Sequence, residues 1–168
     1  MDTAPLRDAY RALLDAAATV AGSDDRKAPP AGEWNADQIL AHVAVVNATT
    51  IAAASCVASG ANTTYDNRTA HDTWTLDRVI TNAGGNAGLR ERIHLQGEAL
   101  CMLGAPVLSE AELATLVPTL LLSHGKVLVD QPVPLRDILT GLADVELPGH
   151  TKQLLALLPD RAGPKPAT

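Results

Sequence analysis

Residues 32–47 read GEWNADQILAHVAVVN and carry the clearest helix start in the chain. Asn35 is a residue type whose side chain accepts from the free N–H groups of a first turn. Gln38 stands three positions on, where its amide reaches back, which is the pattern of a capping box. Trp34 before the cap and Ile39 after it are placed as a hydrophobic staple. From this start the helix extends to about Ala58, a rod about 36 Å long at about 1.5 Å per residue. Within it, His42 shares a face with Ile39 and Val46, and that face must point inward.

Working outward, an earlier helix is predicted over Pro5–Ala21. Pro5 suits a first turn, and Leu6, Tyr10, Leu13, Leu14, Ala17 and Val20 form a stripe of helical period. GSDDRKAPPAGE, residues 22–33, is turn chemistry throughout. After the second helix, Gly60–His71 is polar and loop-like. A third helical region begins near Trp74 with Leu76, Val79 and Ile80, and resumes with Leu89, Ile93 and Leu100. Gly84 and Gly85 between them predict a kink or break. Ser109 and Glu112 form a second capping box, with Leu108 and Leu113 as its staple, opening a short helix that Pro118 ends. TLLLSHGKVLVD, residues 119–130, reads as a β-hairpin turning near His124 and Gly125. Pro134 then opens a last long helix, with Leu135, Ile138, Leu139, Leu142, Val145, Leu154 and Leu157 as its stripe. The expected fold is therefore all-α, a four-helix bundle with a short hairpin, in one domain over residues 1–158. The Pro-rich residues 159–168 are expected to be a disordered tail.

Composition agrees with helices. Of 168 residues, 46% are hydrophobic, yet there is no Phe and only two Trp and two Tyr, so Leu, Val, Ile and Ala must build the core. The net charge is −6 and no Lys/Arg cluster occurs, which sets nucleic acid aside as a partner. No continuous apolar run reaches the roughly 18–20 residues a membrane span requires. The N-terminus MDTAPLRDAY lacks the basic and apolar regions of a secretory signal, so the expected compartment is the cytoplasm. Cys56 and Cys101 then read as buried thiols.

Five histidines are present. His71, His94 and His124 fall in polar or turn contexts and read as surface or loop residues. His42, on an apolar face, needs a hydrogen-bond partner or a metal. In the last helix Glu146 and His150 stand four apart, on one side of a helix and in line with the apolar stripe. His42, Glu146 and His150 together offer three ligands of the kind Zn²⁺ accepts, with a fourth position open. Pro148 and Gly149 lie between the last two and argue the other way. A proline there forces a kink or a restart, leaving a Glu at one helix end and a His at the next start, with no metal. Spacing alone leaves both readings open.

Two stretches resemble a known family. GEWNADQILAHVAVVN looks like the second helix of the DinB-like superfamily, and GLADVELPGHTKQLLAL, residues 141–157, is similar to its last helix. Helix order and total length match as well. The resemblance implies a four-helix bundle holding a divalent metal, zinc or nickel, through His42, Glu146 and His150. Glu at the middle position is similar to the mycothiol-dependent maleylpyruvate isomerases. The implied activity is that of a bacterial thiol S-transferase or isomerase, the metal activating a low-molecular-weight thiol such as mycothiol. Gln153 is placed to hydrogen-bond a ligand or to pack between helices, and Trp34, Tyr65 and Trp74 are candidates for the pocket mouth. The expected partner is a small-molecule substrate, and Ala-rich helices are compatible with a homodimer. Two alternatives stand beside this: a metal-free small-molecule binding module, and a biosynthetic enzyme using Glu146 or His150 as acid or base without metal.

Overall fold

Helix α1 spans Ala4–Ala21 and α2 spans Ala36–Ala58. The computed structural model describes residues 1–123 and 125–159. The predicted turn residue His124 and, apart from Pro159, the predicted tail lie outside the described residues. α2 starts as its sequence requires. The Asn35 side chain accepts from Gln38 N–H at 2.9 Å, and the Gln38 side chain accepts from Asn35 N–H at 3.1 Å. Its inward face buries Ile39, His42, Val43, Val46, Asn47 and Thr50. On length and composition alone α2 would also cross a membrane, because His42, Asn47 and two threonines interrupt its apolar runs without lowering its mean hydropathy of 1.7 much. In this protein 61% of the qualifying window is buried inside the fold.

The third helical region is two helices, α3 (Thr73–Ala83) and α4 (Asn86–Met102). The predicted break falls at Gly84 and Gly85, whose φ values of 77° and 84° are left-handed and favour glycine. The corner is close as well: a Cβ on Gly88 would sit 1.8 Å from the Ala83 carbonyl oxygen. The second capping box opens α5 (Glu110–Leu113). Its helix is a single turn and ends before Pro118, which instead lies in a strand.

The hairpin is longer than its sequence signal. β2 covers Leu116–Ser123 and β3 covers Lys126–Pro134, antiparallel, with Pro118 opposite Pro132 and a bulge between Leu121 and Leu122. A third strand, β1 (Tyr65–Asp66), pairs parallel with β2. An all-α description is therefore incomplete: the fold is mostly helical with a small three-stranded sheet. A strand of two residues has no room for alternation, so the loop-like Gly60–His71 reading gave no hint of it.

The last helical stretch is not one regular helix. α6 (Leu135–Gly141) passes into a π-helical turn, Leu142–Glu146, and then into α7 (Leu147–Ala156). Leu147 N–H donates to the Leu142 carbonyl, five residues back, so the ladder has already opened when Pro148 enters the first turn of α7. The missing proline N–H costs little there. α1 packs on α4 and α7, and α2 packs on α4 and α7, around one core that includes Leu6, Leu13, Leu40, Leu89, Ile93 and Leu154. The sheet lies beside this core, β1 against α2 and β3 against α6.

Candidate metal centre

α2 carries His42 inward, and the π-turn and α7 bring Glu146 and His150 to meet it. The three ligand atoms lie within 4.8 Å of one another. His42 is 2% exposed and Glu146 half-buried. The helical spacing survives Pro148 because the widened turn precedes it: Glu146 Oε1 is 3.2 Å from His150 Nε2. The same oxygen is 2.8 Å from His42 Nε2, across 104 residues of chain.

Hydrogen bonds on the far side of each ring set the chemistry. His42 Nδ1 lies 2.8 Å from the Ala70 carbonyl oxygen, which only accepts, so Nδ1 carries the hydrogen. His150 Nδ1 donates in the same way to Gln153 Oε1 at 2.7 Å. Both Nε2 atoms then turn towards one carboxylate oxygen. A lone pair facing a carboxylate oxygen is repulsive, so the space between the three atoms calls for positive charge, supplied by protons on the rings or by a cation. Burial raises the Glu146 carboxyl pKa, but the hydrogen bonds from His150 and His42 and their charges outweigh it. The group is held well below the ordinary carboxylate range. The donor set of two imidazoles and a carboxylate, each histidine oriented by an outer partner, fits a divalent ion of the zinc type.

Gln153 thus orients a candidate ligand through its side chain, a role between the two the sequence allowed. Trp34 covers the site, its ring 4.7 Å from that of His42 and 6.4 Å from that of His150. Tyr65 is buried and lines the same cavity. Trp74 does not line it. It is 65% exposed with the Arg78 guanidinium 4.8 Å over its ring. Leu76, two residues on, takes the buried side of α3, so Trp74 falls on the opposite side.

No family model, curated protein or solved structure matches this chain.

One residue was missed. His71, read as a loop histidine, sits 5.0 Å ring to ring from His42 and lines the cavity. Its Nε2 lies 3.1 Å from the Leu122 carbonyl and 3.3 Å from Asn67 Nδ2; the carbonyl only accepts, so the closer contact puts the hydrogen on Nε2 and leaves Nδ1 without a hydrogen-bond partner among the described residues. Burial, then the His42 charge, pushes its pKa below the ordinary histidine value. Asn67, itself buried, holds this corner to β2: its Oδ1 accepts from Leu122 N–H and its Nδ2 donates to the Leu122 carbonyl. The four-residue spacing of Asn67 and His71 was the only available signal, and the polar loop around it offered no apolar stripe to give that spacing a direction. His94 is exposed, as read. Cys101 is buried and Cys56 only partly so, both free.

Proposed function

We propose that the chain is a cytoplasmic metal-dependent enzyme of the thiol S-transferase or isomerase type, built on a DinB-like four-helix bundle. The observation that carries this reading is the convergence of His42, Glu146 and His150, one from α2 and two from the last helical stretch, spaced four apart. The closed cycle of α1, α4, α2 and α7 supports the bundle. Zinc or nickel suits the donor set. When bound, such an ion supplies a Lewis acid that lowers the pKa of a thiol or water at its open position. Around that position, His42 and His150 are held in one tautomer by Ala70 and Gln153, Trp34 shields the rings from water, and His71 offers Nδ1 as a proton acceptor beside the site.

A metal-free acid–base enzyme is the competing reading, and one distance favours it. Bonds of about 2.0–2.1 Å at tetrahedral angles put ligand atoms about 3.3 Å apart, whereas His42 and Glu146 are 2.8 Å apart. Cobalt loading separates the two. If the leading reading holds, cobalt-loaded protein titrated with cysteine or mycothiol develops a thiolate-to-cobalt charge-transfer band that His150→Ala abolishes. A chelator-insensitive activity with a bell-shaped pH profile, and no such band, would select the metal-free enzyme instead.

A further inference from the structure

The cavity above the His42–Glu146–His150 group has a volume of about 580 Å³, the size of a site for a small organic molecule. Its two ends differ in chemistry. The floor is imidazole, carboxylate and amide. The walls come from the sheet and the last helical stretch and are aliphatic: Leu121, Leu122 and Val129 on the strands, with Ile138, Leu142 and Val145 on α6 and the π-turn. The bulge in β2 breaks strict alternation, so consecutive Leu121 and Leu122 both line the cavity.

Above the floor, charge on the walls is of one sign only. Among the described residues no lysine or arginine lines the cavity, while Glu33 and Asp137 do, in addition to Glu146. An anionic group of a ligand held against the walls, a carboxylate, sulfonate or phosphate, would lose hydration, meet no cation there, and face the carboxylates of Glu33 and Asp137. The lining continues outward without becoming cationic. Leu128 and Val145 both line the cavity and are 64% and 71% exposed, so its mouth presents aliphatic carbon to solvent.

We infer that the cavity binds uncharged, predominantly apolar molecules carrying a single donor group at one end, and discriminates against anions. Dicarboxylate substrates do not fit it. The placement of the donor end rests on the metal-centre reading above; the discrimination against anions rests on the walls alone.

The test uses two isosteric thiols, 4-(mercaptomethyl)benzamide and 4-(mercaptomethyl)benzoate, with benzyl mercaptan as the unsubstituted probe. Binding to zinc-loaded and to metal-free protein is followed by titration calorimetry, and zinc content is measured on the same samples. The amide is expected to bind about tenfold or more tightly than the carboxylate, benzyl mercaptan at least as tightly as the amide. The Asp137→Lys variant, at an exposed wall position, should narrow the gap between amide and carboxylate. Carboxylate binding equal to or tighter than amide binding overturns the inference, and so does failure of all three probes to bind either form of the protein. Protein that takes up no zinc but still prefers the amide keeps the inference while removing the metal-centre reading. Zinc uptake with no amide preference does the reverse.

Discussion

Glu146 Oε1 lies 2.8 Å from His42 Nε2 and joins two helices 104 residues apart in the chain. The carboxylate is half-buried, and a second imidazole approaches the same oxygen. Removing one partner leaves the others buried and uncompensated, which is costlier than the pair is worth. Glu146→Ala should therefore lower stability by about 3 kcal/mol in metal-free protein. Glu146→Gln, which keeps the shape and an acceptor, should cost less. Urea denaturation of both variants checks the order. Equal losses would mean that the carboxylate charge, which both variants remove, carries the whole effect and that shape and acceptor add nothing.

Gln153 acts on the site through His150. Gln153→Ala removes the acceptor for His150 Nδ1 and frees the ring to rotate. Metal affinity should fall by about 10- to 100-fold with no change in fold, as for other outer-shell partners. Competition with a chromophoric chelator measures it. Gln153→Glu, which retains an acceptor, should recover most of the affinity.

The protein's two tyrosines, Tyr10 and Tyr65, report on the interior at high pH. Burial raises both above their ordinary value of 10.0, Tyr65 to about 12. The sign follows from proton counting. Between pH 10 and 12 the unfolded chain releases both phenolic protons and the folded chain keeps them, so stability is intact below pH 10 and declines above it. The slope approaches about 2.7 kcal/mol per pH unit for two protons. Tyrosinate absorbance near 295 nm should thus appear together with loss of helical circular dichroism. Ionisation well before unfolding would contradict the burial.

Tyr10 also anchors a buried polar chain. Its hydroxyl donates to Asn47 Oδ1 at 2.7 Å, Asn47 Nδ2 donates to Gln96 Oε1, and Gln96 Nε2 donates to the Ala44 carbonyl. The ring lies against Gly97, where an added Cβ would be 2.9 Å from two ring carbons. Gly97→Ala should cost about 1–3 kcal/mol by overpacking, and Tyr10→Phe about 1–3 kcal/mol by leaving Asn47 Oδ1 unpaired. Chemical denaturation of the two single variants and the double variant should show non-additivity, because the residues touch.

Much of this architecture was legible wherever a local rule has a local signature. Asn35 with Gln38 and Ser109 with Glu112 announced their helix starts, and Gly84–Gly85 announced the corner. The inward placement of His42 followed from its spacing to Ile39 and Val46. What stayed hidden depended on contacts far apart in sequence. β1 is two residues long and exists only because β2 offers it an edge. His71 gains meaning only when Asn67 fastens its turn to Leu122. Pro148 looked like an obstacle to the Glu146–His150 pair because the π-turn ahead of it leaves no mark in the residue pattern. Trp74 was placed near a pocket by residue type, and the burial of Leu76 turned it away.

The proposed function stands or falls on whether His42, Glu146 and His150 hold one metal ion between them. The most direct measurement is elemental analysis of protein purified without an affinity tag, beside His42→Ala and His150→Ala. Close to one zinc or nickel per chain is expected in the parent protein and none in either variant. A parent protein that stays metal-free after incubation with both ions would contradict it.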